Sequence, residues 1–442
     1  MQAPLKLNIS ANTSPPRTCS SPDRRSSLLA AWQHTNTLSI CGGPGWPPVK
    51  WRDSMIAYTA ARLFTPSARL EQPWMTVEDG RVAQLGAKTS AAIPSAGPVI
   101  DLGDASIAPA FIDLHIHGAA GYDTMEADSA GRSAMEKFLG GRGVGAYFPT
   151  TVTASLEPTL GALERWAEAI EQAEHGGEAG AATPLGIHLE GPFLSHARRG
   201  VHPEQDLLRP SLETFERFWQ AARGKIRLMT VAPELESAEI LIREAAARGV
   251  CVSLGHSDSG LVSARRGVAA GARHATHTFN AMRPMGHRDP GLLAEVLGNP
   301  LLTADIIADG VHVDPAVVAL FLKLKGLDGA VLITDAIAAT GRPDGRYRLG
   351  PLEVEVAAGR CTSQGKLAGS VLTMEQAVRN IMTFGRMTLG DAVRLATLNP
   401  ARVVGLEKQR GVLAPGAVAD FVVLDDAGKV QRTFLRGVET RV

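Results

Sequence analysis

Short apolar segments alternate with alanine-rich segments of helical period through most of the chain, and this alternation constrains the fold more than any other feature. Eight of the apolar segments are predicted to be strands: IAPAFIDLHI, GVGAYFPTTV, PLGIHLEG, IRLMTVAP, GVCVSLGH, GARHATHTF, LTADIIAD and AVLITDA. Strands this continuously apolar are typical of parallel sheets that helices cover on both faces. The pattern predicts an α/β fold, a (β/α)8 TIM-type barrel over residues 107–402. An open doubly wound sheet is the alternative, but no GxGxxG motif follows the first strand.

A second pattern, of short strands and turns, flanks the predicted barrel. Asp79 and Gly80 lie between two alternating segments in WMTVEDGRVAQLG, which is a hairpin signal. A strand, a turn and a second strand recur in GVLAPGAVADFVVLDDAGKVQRTFLRG. We therefore expect residues 55–106 and 403–442 to pair into one small β-sandwich domain built from both terminal segments.

Residues 1–54 differ in composition from the rest of the chain. The stretch NTSPPRTCSSPDRRSS is rich in Ser, Pro and Arg, and no amphipathic period follows it. This composition predicts a disordered segment or an over-extended start, with Met55 as the initiator. A secretory signal is the alternative, but LLAAWQHTNTLSI carries His and Gln where a signal peptide needs an unbroken apolar run.

Charge and cysteine content exclude several classes of protein. The 45 Lys and Arg residues balance the 45 Asp and Glu residues and form no basic stripe, which argues against nucleic acid and anionic membranes as partners. No apolar run approaches the roughly 20 residues that a membrane helix needs. The four cysteines show no CxxC spacing, which fits a reducing compartment, and we expect a cytoplasmic location.

Residues of metal-ligating types stand at the ends of the predicted strands, where a barrel of this kind has its active site. They are His115, His117, Glu190, His256, His277 and Asp335. His115 and His117 lie two residues apart, so both project from one strand face. Each residue taken singly is more often a helix cap, a turn former or a core histidine. Together they predict a site for Zn²⁺ or a similar divalent ion, whereas His188 and His274 are expected to form structural hydrogen bonds.

Six motifs in this order resemble the N-acetylglucosamine-6-phosphate deacetylases of the amidohydrolase superfamily: FIDLHIHG, HLEGPF, LGHSD, THTFNAM, ADGVHV and LITDAIAATG. The resemblance extends over about residues 55–442 and is most specific in HLEGPF and in the Asn-Ala-Met of the fourth motif. Dihydroorotases are similar in their HxH motif and barrel, but they rely on a carboxylated lysine at strand four. Strand four of this chain has no lysine after Lys225, which stands at its start.

The resemblance implies metal-dependent hydrolysis of N-acetyl-D-glucosamine 6-phosphate to D-glucosamine 6-phosphate and acetate, in amino-sugar catabolism or cell-wall recycling. It implies that Glu190, His256 and His277 hold the principal ion and that Asp335 is the catalytic acid and base. A divalent ion lowers the pKa of bound water to about 7 and so supplies hydroxide for attack on the acetamide carbonyl. Zn²⁺ is expected, with Fe²⁺ or another divalent ion as alternatives. Some members have HxN where this chain has HxH, with His115 and His117. The number of ions per subunit, one or two, therefore stays open.

The resemblance also implies a set of substrate contacts. They are Val201, His202, Asn280, Ala281, Arg288, Asp309, Gly310, Val311, His312, Leu367, Ala368 and Gly369. Arg288 suits a phosphate as a planar bidentate donor, and in the family this arginine reaches the neighbouring subunit's site. A homodimer with Arg288 near its interface is therefore expected.

Two alternatives stay open. The first is a hydrolase of a different amide, either an N-acetylgalactosamine 6-phosphate deacetylase or another amide hydrolase of the superfamily. The second is a catalytically silent barrel kept as a binding or scaffold protein, although the complete ligand set disfavours it.

Overall fold

The computed structural model describes residues 55–65, 68–87 and 97–440. Residues 1–54, for which the sequence predicts disorder or an over-extended start, lie outside the described residues. The helices of the described part are too short or too polar to cross a membrane.

The first described strands are short and precede the predicted barrel. They are β1 (Ile56–Thr59), β2 (Arg62–Phe64), β3 (Arg69–Glu71), β4 (Pro73–Glu78), β5 (Arg81–Ala87), β6 (Val99–Asp101) and β7 (Ser106–Pro109). The turn between β4 and β5 contains Asp79 at φ 49° and Gly80 at φ 71°. Two successive positive φ angles are what a tight hairpin turn needs to match the twist of its strands, so the hairpin prediction is confirmed.

Strands and helices then alternate, as the apolar pattern predicts. The elements are β8 (Phe111–Ile116), β9 (Gly118–Ala119), β10 (Tyr122–Asp123), α1 (Ser129–Gly141), β11 (Val144–Pro149), α2 (Leu156–Glu174), β12 (Thr183–Pro184), β13 (Ile187–Glu190), α3 (Leu212–Ala221), β14 (Ile226–Val231), α4 (Ala238–Ala247), β15 (Cys251–Leu254), α5 (Leu261–Ala270), β16 (His274–Ala275), α6 (Gly291–Gly298), β17 (Ala304–Ile307), α7 (Pro315–Gly329) and β18 (Ala330–Ile333). The first predicted strand is divided, because β7 and β8 join different sheets on either side of Ala110.

Nine of these strands pair in parallel with their neighbours along the chain, in three separate sheets rather than one continuous closed sheet, and β12 and β13 both overlap the third predicted strand. The sheets have the orders β12-β11-β8, β13-β14-β15-β16 and β17-β18. Backbone hydrogen bonds at the strand ends join one sheet to the next. Thr151 donates to the carbonyl of His188 (3.0 Å), Ala275 donates to Thr303 (3.0 Å), and Asp335 donates to His115 (2.9 Å). The carboxyl ends of these parallel strands therefore meet on one side.

Helices pack against the strands through faces whose buried residues recur every three or four positions. In α2, for example, Leu163, Trp166 and Ile170 are buried at spacings of three and four residues. Several helices also begin at a side chain that accepts a hydrogen bond from the first turn, such as Asp128 before α1 and Asp314 before α7. These caps satisfy backbone N–H groups that have no partner within the helix.

An antiparallel sheet that was not predicted from the sequence follows β18. Its strands are β19 (Gly345–Leu349), β20 (Leu352–Ala357), β21 (Arg360–Ser363) and β22 (Lys366–Leu367). The alternation in LEVEVA buries Val354 and Val356 against a cluster that includes Val152 and Ala339. This packing brings the segment after β22 to the strand ends of the parallel sheets.

The remaining elements are α8 (Met374–Phe384), α9 (Leu389–Leu395), α10 (Leu398–Val403), β23 (Phe421–Leu424), β24 (Val430–Leu435) and β25 (Val438–Glu439). Strand β23 pairs with β7 in a sheet of order β25-β24-β23-β7-β2-β3. A second sheet, β5-β4-β1-β6, shares one apolar core with it. In this core Tyr58 of β1 packs edge-on against Phe421 and Phe434, with ring centroids 4.9 Å and 5.3 Å apart. Both ends of the described chain therefore contribute strands to one sheet and residues to one apolar core.

A buried carboxyl group lies between α1 and β11, away from the strand ends. Glu136 is 8% exposed, and its Oε1 accepts a hydrogen bond from the Tyr147 hydroxyl (3.0 Å). Burial raises the pKa of Glu136 from 4.5 to about 7, although the Tyr147 hydrogen bond opposes the shift. Between pH 4.5 and about pH 7, the unfolded chain releases a proton that the folded chain keeps. The free energy of unfolding therefore falls as the pH rises through this range.

We expect Glu136→Gln to remove this loss of stability. The amide oxygen of glutamine still accepts the Tyr147 hydrogen bond, but it carries no charge to bury. At pH 8 the variant is expected to be more stable than the wild type by up to about 3 kcal/mol, with little difference near pH 4.5. Urea unfolding at several pH values measures this. A difference between the two proteins that does not vary with pH contradicts the assignment.

Candidate metal centre

Glu190, the last residue of β13, lies at the centre of a histidine cluster. Its Oε1 lies 3.0 Å from His277 Nε2 and 3.3 Å from His256 Nε2. Its Oε2 lies 3.2 Å from His117 Nε2 and 3.4 Å from His115 Nε2. Because the two oxygens face two different pairs of histidines, this single carboxylate can serve one ion or bridge two.

Asp335, two residues after β18, completes the second histidine pair. Its Oδ1 lies 3.3 Å from His117 Nε2 and 3.5 Å from His115 Nε2, and these two nitrogens lie 3.0 Å apart. The six side chains form two groups of buried ligand atoms, each within 4.8 Å: His115, His117 and Asp335 in one, Glu190, His256 and His277 in the other. All six residues singled out in the sequence therefore meet at the strand ends.

Hydrogen bonds on the far side of two imidazole rings direct their Nε2 atoms into the cluster. His256 donates from Nδ1 to the carbonyl of Arg198 (2.9 Å), and His117 donates from Nδ1 to the carbonyl of Thr150 (3.2 Å). A carbonyl only accepts, so the neutral ring keeps a lone pair on Nε2. His256 Nε2 lies 3.0 Å from His277 Nε2. Closely spaced imidazole nitrogens beside two carboxylates fit a divalent cation.

The electrostatics of the cluster also favour positive charge between the carboxylates. Burial alone would lower the pKa of His117, but hydrogen bonds to Asp335 and Glu190 raise it to about 10. Burial likewise opposes the shift of His277, which Glu190 raises to a pKa of about 9. Burial would raise the pKa of Glu190, yet the surrounding histidines hold this pKa well below its usual range, and His115 contributes most to the lowering. A bound divalent ion would supply the charge that these protons otherwise supply.

A second layer of polar contacts holds the ligands in place. His188 donates from Nδ1 to the Leu114 carbonyl (3.0 Å), and its Nε2 lies 2.9 Å from the Thr230 hydroxyl. His274 Nε2 lies 2.9 Å from Asp305, whose other oxygen accepts the backbone N–H of His277. The prediction that His188 and His274 form structural hydrogen bonds is confirmed.

Three of the ligand-type residues adopt left-handed backbone conformations where the chain leaves a strand. The φ angles are 46° at His256, 29° at His277 and 50° at Asp335. Residues with side chains rarely adopt such angles, and those that do concentrate at functional sites. This sharp turn after each strand is what brings the side chains back over the strand ends.

A cavity of about 180 Å³ opens beside the cluster. Its lining includes most of the residues that the sequence singled out: His117, Glu190, Val201, His202, His256, His277, Asn280, Ala281, His312, Asp335, Leu367, Ala368 and Gly369. His115 is fully buried and does not line it. The volume is well below the roughly 300–1,000 Å³ of pockets for drug-sized ligands, so it suits a small ligand.

Four residues of the expected substrate set lie outside the lining. Asp309 accepts hydrogen bonds from His312 Nδ1 (2.7 Å) and from the Val311 backbone (2.7 Å), so with Gly310 it forms a turn that orients His312. Arg288 lies on an exposed loop and forms no hydrogen bond or ion pair with the described residues. The structure therefore brings only His312 of this segment to the cavity and leaves Arg288 free.

Three lining residues were not singled out in the sequence: Val152, Gly200 and Leu349. Val152 follows β11 and Gly200 precedes Val201, so the rule that strand-end loops form the site would have included both. Leu349 lies in the antiparallel sheet that was not predicted, and its alternating pattern was the available signal.

The comparisons with known proteins agree with one another. Residues 106–440 match the model of the amidohydrolase family. N-acetylglucosamine-6-phosphate deacetylase of Bos taurus is 36% identical over 404 residues, which cover 87% of this chain and 95% of that protein. N-acetylgalactosamine-6-phosphate deacetylase of Escherichia coli O157:H7 is 35% identical, covering 86% and 97%.

A solved structure is similar in fold as well as in sequence. A variant of N-acetyl-D-glucosamine-6-phosphate deacetylase from Mycobacterium smegmatis, in complex with N-acetyl-D-glucosamine 6-phosphate, superposes with a TM-score of 0.82 at 34% identity. The match covers 88% of this chain and all of that one. The chain therefore belongs to the amidohydrolase family, in the branch of the N-acetylglucosamine-6-phosphate deacetylases.

Proposed function

We propose that the protein is a metal-dependent deacetylase that hydrolyses N-acetyl-D-glucosamine 6-phosphate to D-glucosamine 6-phosphate and acetate. The observation that carries this proposal is the position of Glu190 between two histidine pairs, with Asp335 at the edge of the same small cavity. The relatives that match most of the chain support the substrate, since they are named for this deacetylation.

The donor set fits a divalent ion. Glu190, His256 and His277 would hold the principal ion, and His115 and His117 offer a second position beside Asp335. Imidazole nitrogen and carboxylate oxygen are ligands that Zn²⁺ takes readily and that Fe²⁺ also accepts. When bound, such an ion activates a water molecule and polarises an amide carbonyl.

Asp335 is the residue we assign to proton transfer. Burial would raise its pKa, but the charge of His115 and a hydrogen bond from His117 hold the pKa well below its usual range, so the carboxylate is ionised and can accept a proton. It takes the proton of the attacking water and returns it to the nitrogen of the departing amine. An amine cannot leave as its anion, so this second transfer is required for the C–N bond to break.

His202 is placed to stabilise the amide oxygen. The backbone N–H of Thr153 donates to His202 Nδ1 (3.3 Å), so the ring proton lies on Nε2, which is 3.7 Å from Glu190 at the cavity. Burial lowers the pKa of His202 to about 3, which keeps the ring neutral. A neutral Nε2–H can donate to the oxygen on which negative charge develops during attack.

Substrate recognition divides between the cavity and a loop. Within the cavity, Asn280 and His312 offer polar groups to the sugar, and the segment Leu367–Gly369 packs beside them. The phosphate is assigned to Arg288, which has no partner among the described residues of its own chain. As the family resemblance implies, we propose a homodimer in which each Arg288 lies near the interface and serves the neighbouring cavity.

We expect Arg288→Ala to raise KM for the phosphorylated substrate by about 10- to 100-fold, because a charge-assisted bidentate contact is lost. The KM of unphosphorylated N-acetylglucosamine is expected to stay unchanged. Steady-state kinetics on both substrates measure this. Arg209→Ala is the matched control, since Arg209 is also highly exposed and pairs only with Glu236. Equal effects on the two substrates contradict a phosphate contact.

We also propose that the parallel strands, with β12 and β13 together as one barrel position, close into one (β/α)8 barrel within residues 107–402, and that residues 55–106 and 403–442 form a β-sandwich domain. The backbone hydrogen bonds between neighbouring sheets support the closure, and the core shared by the two sheets supports the sandwich. Strand β7 belongs to the sheet of the β domain, which moves the first boundary to about Ala110. A cytoplasmic location fits a phosphorylated sugar, whose charge prevents unaided passage through a membrane.

A deacetylase of N-acetylgalactosamine 6-phosphate is the second candidate, favoured by the relative of that name from Escherichia coli O157:H7. Acetate release from a panel of N-acetyl hexosamine phosphates, with elemental analysis of the purified protein, separates the two candidates. The proposed function predicts bound metal and the highest kcat/KM on the gluco epimer. Absence of metal together with no acetate release contradicts both candidates and favours a silent barrel.

A further inference from the structure

Asp258 connects two loops of the cavity without lining it. Its carboxylate accepts a hydrogen bond from Arg198 Nε (2.8 Å) on one oxygen and from Arg283 Nη2 (3.0 Å) on the other. Arg198 precedes Val201 and His202, whereas Arg283 follows Asn280 and Ala281. We infer that Asp258 is a positioning residue that holds both loops in register with the metal ligand His256. For its kinetic part, this inference rests on the proposed function.

The first arm runs through Arg198 to the metal ligand. The Arg198 carbonyl accepts the Nδ1–H of His256 (2.9 Å), while the Arg198 side chain donates to Asp258. Ser195, in the same loop, donates its backbone N–H to the His256 carbonyl (2.9 Å). The loop is thereby fixed to His256 by backbone contacts and to Asp258 by an ion pair. Loss of the ion pair frees the carbonyl that sets the orientation of the His256 ring.

The second arm runs through Arg283 to the substrate loop. Backbone hydrogen bonds join Ser257 to this loop in both directions, from Ser257 to Ala281 (3.0 Å) and from Arg283 to Ser257 (3.0 Å). The Arg283 side chain binds Asp258 with Nη2 and Asp289 with Nη1 (2.9 Å). Asp289 is adjacent to Arg288 in the chain. This arm therefore ties the residues proposed to contact sugar and phosphate to the same carboxylate.

Glu234 holds the backbone at Asp258, so the Asp258 side chain is available to bind the two arginines. Its two carboxylate oxygens accept the backbone N–H of Asp258 (2.6 Å) and the hydroxyl of Ser257 (2.7 Å). The backbone after His256 is thus held by Glu234, which follows β14. The Asp258 carboxylate itself binds the two arginines, and the side chains of these ion pairs are about one-third exposed. Screening by solvent limits their contribution to stability, so positioning is the larger expected effect.

The test is Asp258→Asn in the full-length protein. We expect the dissociation constant for Zn²⁺, measured by competition with a chelator, to rise about tenfold, the size seen when a partner of a metal ligand is lost. We also expect KM for N-acetyl-D-glucosamine 6-phosphate to rise by a factor similar to or larger than that of Zn²⁺, with a smaller change in kcat. Zn²⁺ affinity is read without substrate, so it tests Asp258 even if the proposed substrate is wrong.

Two further variants separate the arms. Arg198→Gln is expected to weaken Zn²⁺ binding by a larger factor than it raises KM, and Arg283→Gln is expected to raise KM by a larger factor than it weakens Zn²⁺ binding. They also keep the inference testable if Asp258→Asn does not fold. Asp328→Asn is the matched control, because Asp328 also binds two arginines, Arg394 and Arg402, and precedes β18, whereas the cavity lies at the carboxyl ends of the strands.

The inference is overturned if both constants of Asp258→Asn stay within twofold of the wild type. It is also overturned if Asp328→Asn shifts both constants as much as Asp258→Asn does, since the effect is then general destabilisation. Failure of the wild type to release acetate, with the Zn²⁺ shift intact, contradicts the proposed function and leaves the role of Asp258 at the metal supported.

Discussion

Asp335→Asn is expected to reduce kcat by about 10²- to 10⁴-fold, the usual loss when a general acid and base is removed. Asparagine has nearly the same shape, so the backbone hydrogen bond from residue 335 to the His115 carbonyl (2.9 Å) is kept. The amide, however, can neither accept the proton of water nor deliver one to the amine. Because Glu190, His256 and His277 are untouched, the principal ion is expected to remain. Steady-state acetate release and elemental analysis on the same preparation measure both effects.

Asp314→Asn is the control, since Asp314 is a carboxylate that caps α7 and lies outside the cavity lining. It is expected to keep wild-type kcat, because asparagine is an equally good cap. Two outcomes contradict the assignment of Asp335. Unchanged kcat means that another group moves the proton. Loss of metal in parallel with activity means that Asp335 acts chiefly as a ligand, beside His115 and His117.

Alternation of apolar strands with helices was enough to predict the parallel α/β architecture, because buried parallel strands carry a continuous apolar signal. Two features differ from the prediction for physical reasons. The predicted strand GARHATHTF contains only the two-residue strand β16, because the ladder is interrupted on either side of it. The division at Ala110 occurs inside one unbroken apolar run, so only the three-dimensional pairing of β7 and β8 reveals it.

The site was predicted from residue types and their placement at strand ends. The HxH motif leaves open whether Glu190 serves one ion or two, and only side-chain geometry reveals that its two oxygens face different histidine pairs. The left-handed turns at His256 and His277 were equally invisible, because neither residue type signals positive φ as glycine does. The tautomer of His202 depends on Thr153, 49 positions away in the chain.

Glu190→Gln is expected to remove the bound metal and to reduce kcat/KM by at least about 10³-fold, since it withdraws the charge that holds the histidine cluster together. Glutamine keeps the volume, but its NH₂ group must face one of the two histidine pairs and cannot ligate an ion. Elemental analysis gives the metal content. The melting temperature with and without added Zn²⁺ gives an independent measure, because a ligand that binds the folded state raises it.

Glu136→Gln is the matched control for this substitution, as it changes a buried glutamate that contacts Tyr147 rather than any histidine. It is expected to keep its metal and its activity. A full metal complement in Glu190→Gln contradicts the assignment of Glu190 as a ligand.

The metal content of two variants distinguishes one bound ion from two. If Glu190 bridges two ions, Glu190→Gln loses both, whereas His117→Asn loses one and leaves the ion at His256 and His277. If a single ion is bound, His117→Asn keeps the full metal content of the wild type. Because Oε2 of Glu190 lies 3.2 Å from His117 and Oε1 lies 3.0 Å from His277, we expect the first result, with two ions per subunit in zinc-saturated protein.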